Sequence, residues 1–301
     1  MLIMPVKQKQ KEPKMIHVNM TNSHVETIPY GDGSGRIFLT GDIHGEYDIH
    51  KLNSRQWKIG KKLTKEDYLI VLGDFGLIFD KNGETDEENW WLNWFDEIKP
   101  WTTLWIDGNH ENFNRMSEYP IDIWHGGKVQ FIRPNVIHLM RGEIYDICGL
   151  SFLAFGGAQS IDKHLRWPNE SWWEQELPNE KERVNCVNNL IAHGDTVDVV
   201  LTHDGPAGAY YGVLLNLGYT PDKHAYWMDA NIRQACSFKR WYFGHLHTDA
   251  PDAKPLTPLY NSVVELDLTD EEAELPPRFI IDEDGNQIPA GDYIDLWEEL
   301  E

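Results

Sequence analysis

Five short polar clusters in the sequence carry side chains that bind divalent metals. Carboxylate, amide and imidazole groups are ligands that manganese, iron and zinc accept in proteins. The clusters are Gly41-Asp42-Ile43-His44-Gly45, Gly73-Asp74-Phe75-Gly76, Gly108-Asn109-His110-Glu111, Thr202-His203-Asp204 and Gly244-His245-Leu246-His247. One such cluster alone is more often a surface feature than a metal site, but five in one chain predict a single shared metal site.

An apolar run leads into each polar cluster, as expected for the strands of a buried sheet. The predicted strands are Ile37–Thr40, Tyr68–Leu72, Thr103–Ile106, Val136–Met140, Ser151–Phe155, Val197–Thr202, Trp241–Phe243 and Ser262–Leu266. Loops at the carboxyl ends of the strands of an α/β sheet converge on one crevice. We therefore expect clusters that are distant in sequence to meet there.

Two helical patterns lie between the predicted strands. Trp91, Trp94, Phe95 and Ile98 recur at the spacing of one helix face, so this helix is predicted to bury all four side chains. A second helix is predicted over residues 179–192, opened by Pro178 and the N-cap Asn179 and closed by Gly194. Strands that alternate with helices predict an α/β fold in which helices cover the sheets.

The composition excludes several classes of protein. The 301 residues include 49 Asp and Glu against 27 Lys and Arg, which gives a formal net charge of −22. Large nucleic acids are bound through clustered Lys and Arg, so this balance argues against such a partner. No apolar run approaches the roughly 20 residues that cross a bilayer, and three cysteines without a paired spacing are typical of a reducing compartment. We expect a cytoplasmic protein without membrane contact.

The ordered set Asp-x-His, Gly-Asp, Gly-Asn-His-Glu, a solitary His after a strand and Gly-His-x-His resembles the motifs of the calcineurin-like metallophosphoesterase superfamily. The resemblance extends from Ile37 to about Leu266. It implies a β-sandwich of two mixed sheets flanked by helices, with two divalent metal ions. It also implies that Asp42, His44 and His247 hold one metal, that Asn109, His203 and His245 hold the other, that Asp74 bridges them, and that His110 lies on the leaving-group side.

The chemistry of such a site agrees with this assignment. Two metals can share a hydroxide that attacks phosphorus in line, while His110 donates a hydrogen bond or a proton to the departing oxygen. The bridging carboxylate of Asp74 keeps the two cations together, and their charge creates a positive pocket in an acidic protein. Oxygen and imidazole ligands without thiolate suit manganese, iron or zinc, and their relative affinities do not allow a choice from the sequence. We expect two divalent ions, with manganese as the first candidate and iron, zinc and magnesium as alternatives.

One feature departs from well-known members of the superfamily. The Ser/Thr protein phosphatases carry Asp-Arg-Gly at their second motif, and the diadenosine tetraphosphate hydrolases also carry an Arg-Gly there, whereas this chain has Asp74-Phe75-Gly76. Separately, the segment 154–176 lies between two motif-bearing strands and carries groups that could contact a substrate, with Arg166 to bind a phosphate and Trp172 or its neighbour Trp173 to stack on a base. The alternative is that this arginine pairs with nearby acids and that the tryptophans cover the core.

These observations predict a dinuclear metal-dependent phosphoester hydrolase that acts on small phosphodiester or nucleotide substrates. Two alternatives are a phosphomonoesterase acting on proteins or small molecules and a catalytically silent metal-binding module. The region 111–142 is also loosely similar to RNA lariat debranching enzymes, but the low basic content opposes a large RNA substrate. The sequence indicates no particular protein partner.

The domain organisation is predicted from changes in composition along the chain. Residues 1–35, which end in the Gly-rich stretch 31–35, are expected to be a flexible lead-in. The metallophosphoesterase domain is predicted over residues 36–268, and an acidic C-terminal extension over residues 269–301. Within the extension, Asp284-Gly285 is a favoured two-residue turn and predicts a β-hairpin.

Overall fold

The structure is a computed structural model that describes residues 35–268 and, near the C-terminus, the backbone of two short strands. The predicted lead-in over residues 1–35 lies outside the described residues except for Gly35. The predicted C-terminal extension over residues 269–301 lies outside them except for the two strands, which pair antiparallel. The turn predicted at Asp284-Gly285 is also outside them.

The described strands form two mixed sheets and one separate strand pair. In chain order they are β1 Ile37–Thr40, β2 Tyr68–Val71, β3 Thr102–Trp105, β4 Ile121–Trp124, β5 Gly127–Arg133, β6 Val136–Leu139, β7 Glu143–Ile147, β8 Leu150–Phe155, β9 Val199–Thr202, β10 Arg240–Phe243, β11 Leu256–Pro258, β12 Val263–Glu265, β13 Phe279–Ile281 and β14 Gln287–Pro289. The larger sheet has the order β12-β1-β2-β3-β6-β5-β4, and the smaller one has the order β11-β10-β9-β8-β7. The strands β1, β2, β3 and β6 are parallel, as are β8, β9, β10 and β11.

Helices connect and cover these strands. The α-helices are α1 Asp86–Asn93, α2 Phe113–Met116, α3 Glu180–Ala192, α4 Ala207–Tyr210 and α5 Lys223–Met228. The segments Trp94–Ile98 and Asp229–Arg233 are π-helical, and Ile49–Leu52, Ile59–Lys62, Lys163–Leu165, Glu174–Glu176 and Leu215–Leu217 are 3₁₀-helical.

Three buried apolar clusters separate the layers. Alternate side chains of a strand point to opposite faces of the sheet, so Ile37 and Leu39 pack between the two sheets while Phe38 packs on the outer face with Phe95 of the π-helical segment. The outer face of the smaller sheet packs in the same way against α3 and α5. The result is two mixed sheets flanked by helices, which confirms the predicted fold class.

The predicted strands are all present, with ends displaced by at most two residues. The strands β4, β5, β7 and β11 were not predicted. The side chains of β4 are mostly exposed, and β11 is only three residues long and contains a proline, so neither shows a buried apolar run. The predicted second helix is α3, which begins with a capping box between Asn179 and Glu182.

The prediction that the first helix buries all four side chains of one face is wrong, most clearly at its C-terminal end. Phe95 is fully buried, but Ile98 is 64% exposed, and Trp91 and Trp94 are only half-buried. The reason is that α1 ends at Asn93 and continues as a π-helix. A π-helical turn contains more residues than an α-helical turn, so the later residues rotate away from the expected face.

The described helices include none with both the length and the apolar character needed to cross a bilayer.

Candidate metal centre

The five polar clusters lie at one edge of the sandwich. Three of them follow the neighbouring parallel strands β1, β2 and β3, and two follow the neighbouring parallel strands β9 and β10 of the other sheet. Parallel strands end at the same edge of a sheet, so each sheet brings its own clusters together. The two edges coincide, because His203 after β9 lies against Asp74 after β2.

The side chains of these clusters form three groups of possible metal ligands. Within each group the ligand atoms lie within 4.8 Å of one another. The groups are Asp42, His44 and His247; His44, Asp74 and His110; and Asp74, His203 and His245. Asn109 joins the third group, because its Oδ1 lies 3.2 Å from Nε2 of His203. The eight side chains named from the sequence motifs therefore meet in one place.

Asp74 lies between His44 of the first group and His203 of the third group. Its Oδ2 is 3.2 Å from Nε2 of His44, and its Oδ1 is 3.2 Å from Nε2 of His203. The main-chain N–H of His110 donates to the same Oδ1 over 2.8 Å. One carboxylate thus offers an oxygen to each side, which is the arrangement that a bridging ligand requires.

The carboxylate of Asp42 tests whether these residues fit a cation. It is fully buried, and its Oδ1 accepts a hydrogen bond of 3.0 Å from the main-chain N–H of His245. Its Oδ2 accepts no hydrogen bond from any described residue, although Nε2 of His247 lies 3.2 Å away. A buried polar oxygen without a partner is destabilising. A cation held between Asp42 and His247 would satisfy it, so the donor set fits a divalent metal.

Two histidine rings are oriented by the nitrogen that faces away from the centre. Nδ1 of His203 donates to the main-chain oxygen of Leu72 over 2.6 Å, and Nδ1 of His44 lies 2.7 Å from Oδ2 of Asp48. Both contacts direct Nε2 towards Asp74. Metal-binding histidines commonly make such outer contacts, which fix the ring and its tautomer.

The backbone of the centre is strained. His44, Asp74, His245 and His247 have φ values of +42°, +43°, +63° and +46°. Non-glycine residues seldom adopt this left-handed region, which costs on the order of 1–3 kcal/mol each and is concentrated at functional sites. Gly108 has no room for a side chain, because a Cβ at this position would overlap Oδ1 of Asp74.

The buried carboxylates also set the protonation of the histidines. Burial alone lowers the pKa of His203, but the adjacent Asp74 raises it to about 10. The same opposing effects raise the pKa of His44 to about 9. Burial lowers the pKa of both His245 and His110 to about 4. At neutral pH without bound metal, His44 and His203 are therefore protonated on both ring nitrogens, with Nε2–H facing Asp74. His245 and His110 are neutral.

We expect metal binding to strengthen as the pH rises from 6.5 to 8.5. Histidine binds metal in its neutral form, so a metal must displace the protons that His44 and His203 hold up to pH values of about 9 and 10. The expected gain in affinity is about tenfold per pH unit for each proton displaced. Calorimetric titration with Mn²⁺ in two buffers of different ionisation enthalpy counts the released protons. A pH-independent affinity without proton release would contradict this assignment.

Comparison with known protein families agrees with the geometry. A model of the calcineurin-like phosphoesterase family matches residues 35–249, a range that contains all eight clustered side chains. The chain belongs to this family. Membership implies a metal-dependent hydrolase of phosphoester bonds, and it confirms the resemblance seen in the sequence. A search of curated proteins found no match.

Arg166 of the phosphoesterase lies at the centre, although it belongs to none of the five clusters. Its Nη1 and Nη2 lie 3.2 and 3.0 Å from Nδ1 and Nε2 of His110, and its Nε lies 2.8 Å from Oδ1 of Asp162. It comes from the loop between β8 and α3. The guanidinium of Arg166 thus lies beside the candidate metal centre. The second motif of this chain, Asp74-Phe75-Gly76, contains no arginine.

The tryptophans of the same loop differ in exposure. Trp173 is buried and packs edge-on against Phe79, with ring centroids 5.5 Å apart, which excludes it as a base-stacking residue. Trp172 is half-buried, and its indole N–H has no acceptor among the described residues. Trp167, which directly follows Arg166, is 73% exposed. No sequence signal distinguishes Trp167 from the adjacent pair Trp172 and Trp173, because exposure depends on the folded loop.

Two buried ionisable residues, Lys51 and Glu111, stabilise loops of the phosphoesterase site through hydrogen bonds to the main chain. Nζ of Lys51 donates to the main-chain oxygens of Asp42 and Tyr260. Glu111 accepts hydrogen bonds from main-chain N–H groups after β2, the shorter one 2.7 Å from Phe75. Glu111 is the last residue of the cluster Gly108-Asn109-His110-Glu111, so the sequence itself indicates an orienting role for it. Lys51 could not, because its partners are main-chain carbonyls.

Proposed function

We propose that the chain is a dinuclear metal-dependent phosphoester hydrolase. The observation that carries the proposal is the position of Asp74, which has one carboxylate oxygen beside each of two ligand groups. Divalent metals held by such ligands supply Lewis acidity at phosphate oxygens and activate water as a nucleophile. The oxygen and imidazole donors suit manganese, iron and zinc, and magnesium is a further candidate; we propose manganese as the first metal to test.

Two sets of three ligands would each hold one metal, and Asp74 would serve both. One set is Asp42, His44 and His247, and the other is Asn109, His203 and His245. Aspartate ligands neutralise only part of the charge of two dications, because histidine and asparagine bind as neutral groups. The loaded site is therefore positive within a chain of formal net charge −22, which suits a small phosphate ester.

The proposed role of His110, which lies beside the ligands, is to assist the leaving group. Its main-chain N–H is fixed by Asp74, and its ring centroid lies 5.2 Å from that of His44. A neutral imidazole has one N–H group to donate. In the proposed reaction this group donates a hydrogen bond to the departing oxygen of the ester.

Arg166 is the proposed phosphate-binding residue. Phe75 occupies the position at which the Ser/Thr protein phosphatases carry their phosphate-binding arginine, and its ring is fully buried. Arg166 reaches the same centre from another loop and keeps its guanidinium beside His110. A planar guanidinium matches two phosphate oxygens at once.

Small phosphodiesters or nucleotides fit this site best. Arg166 offers a cationic contact for one phosphate group, and the formal net charge of −22 repels a long polyanion. Trp167 and Leu165, which flank Arg166, are 73% and 76% exposed and offer an apolar surface to a base or an aromatic alcohol. Phosphomonoesters are the alternative substrates. The placement of His110 opposes the second alternative, a silent metal-binding module.

The direct test compares two aryl esters after the metals have been removed and replaced. Protein stripped by chelation and reloaded with Mn²⁺ is assayed with an aryl phosphodiester and with the corresponding aryl phosphomonoester. We expect metal-dependent turnover that favours the diester. Faster turnover of the monoester would support the phosphomonoesterase alternative. No turnover with manganese, iron, zinc or magnesium would support the silent module.

Replacing Arg166 with Ala should lower kcat/KM, mainly through a higher KM. A hydrogen bond to a charged group contributes about 1.5–3 kcal/mol, which corresponds to a loss of about 10- to 100-fold. Arg166→Lys keeps the charge without the fork and should lie between the wild type and Arg166→Ala. Lys163→Ala removes an exposed charge from the same loop and serves as the control. Equal losses for Lys163→Ala and Arg166→Ala would contradict a specific phosphate contact.

A further inference from the structure

The side chain of Asn109 must present its oxygen, and not its nitrogen, to the centre. Its Oδ1 faces Nε2 of His203 at 3.2 Å, and its Nδ2 donates to Oγ of Ser160 over 3.1 Å. An amide group has nearly the same shape in both orientations, so its surroundings must select one of them. Only the oxygen can bind a metal.

The hydroxyl of Ser160 makes that selection. It has one hydrogen, which it donates to Oε2 of Glu176 over 2.6 Å. Towards Asn109 the hydroxyl can therefore act only as an acceptor, which attracts the amide nitrogen and turns the amide oxygen to the centre. Oε1 of Glu176 also accepts from the main-chain N–H of Ser160 over 2.9 Å, so both carboxylate oxygens are engaged.

These groups are sealed from solvent and anchored. Asn109, Ser160 and Glu176 are 4%, 2% and 1% exposed. The main-chain oxygen of Glu176 accepts from Nη2 of Arg141, whose Nε donates to Asp107 over 2.7 Å. Glu176 also joins the two ends of the segment 160–176, which carries Arg166.

We propose that Ser160 and Glu176 are positioning residues that set the amide orientation of Asn109 and thereby the affinity of one of the two metal subsites. This inference rests on the proposed function, since it takes Asn109 to be a ligand. The pair acts through Asn109. A role limited to closing the loop would affect stability without favouring one subsite.

Glu176→Gln is the sharpest test, because it reverses the polarity of the contact with little change in shape. The main-chain N–H of Ser160 still needs the oxygen of residue 176, so the new amide nitrogen must face the hydroxyl. The hydroxyl then donates to Asn109 and favours the flipped amide. We expect one Mn²⁺ to bind about 10- to 100-fold more weakly and the other to bind as before. Glu174→Gln, an exposed change in the same turn, should bind like the wild type.

Asn109→Asp provides the matching rescue. An aspartate presents an oxygen in either orientation, and its outer oxygen prefers a hydroxyl that donates. In protein that carries Asn109→Asp, the further substitution Glu176→Gln should leave the Mn²⁺ affinity of the Asn109 subsite unchanged or improve it. The effects of Asn109→Asp and Glu176→Gln on this affinity should therefore be strongly non-additive. Calorimetric Mn²⁺ titration of the full chain measures the two affinities, and thermal unfolding verifies the fold of each variant.

The possible outcomes separate this inference from the proposed function. Wild-type protein that fails to bind two Mn²⁺ ions would overturn both. Wild-type protein that binds two, together with folded Glu176→Gln that binds both equally well, would overturn only the positioning role. If Glu176→Gln does not fold, Ser160→Ala removes the acceptor of the amide nitrogen and should weaken the same Mn²⁺. A folded Ser160→Ala variant with two unchanged affinities would overturn the positioning role as well.

Discussion

Asp74→Asn should abolish turnover and weaken the binding of both metals. Oδ2 of Asp74 contacts His44 of one proposed ligand set, and Oδ1 contacts His203 of the other. The side chain is almost completely buried. Asparagine is neutral and has only one oxygen, so it cannot serve both sides. Substitutions that merely disturb the orientation of a ligand cost about 10- to 100-fold in metal affinity or activity. We expect Asp74→Asn to exceed that range for both metals.

The measurement is a Mn²⁺ titration combined with the aryl phosphodiester assay on the same preparations. Asp80→Asn makes the same substitution on the same connection between β2 and α1, where the side chain accepts only from the main-chain N–H of Asn82 among the hydrogen bonds described. It should keep both metals and full turnover. Asp74→Asn with two tightly bound Mn²⁺ ions and unchanged turnover would exclude the bridging position.

His110→Ala should slow esters in proportion to the basicity of their leaving group. The imidazole N–H stabilises negative charge on the departing oxygen, so its loss matters most for alkyl esters and least for nitrophenyl esters. General acid assistance of this kind contributes about 10²- to 10⁴-fold. We expect a loss in that range for alkyl esters and a small loss for nitrophenyl esters. The slope of log kcat/KM against the leaving-group pKa should become steeper.

Metal binding separates this role from a role as a ligand. His110 lies within ligand distance of His44 and Asp74, so its removal could in principle act through the metals. We expect two unchanged Mn²⁺ affinities for His110→Ala. His164→Ala removes an exposed histidine from the Arg166 loop and serves as the control. Equal slowing of all esters, or loss of a metal, would rule out assistance to the leaving group.

The sequence by itself determined the fold class and the candidate centre. The ligands directly follow strands, and both the strand pattern and the ligand types are local properties of the chain. Parallel pairing places the ends of β1, β2 and β3 at one edge of the larger sheet, and those of β9 and β10 at one edge of the smaller sheet. Asp42 and His245 belong to different sheets, and they meet because the two edges coincide in the fold.

Only the tertiary structure decided what surrounds the ligands. Arg166 reaches His110 across 56 positions because its loop is closed by Ser160 and Glu176, and no spacing in the sequence indicates that contact. The rotation of Ile98 away from the core likewise depends on a π-helical turn that the apolar pattern does not reveal. Such features result from hydrogen bonds between groups that the folded chain brings together, whereas a sequence pattern reports only on neighbours along the chain.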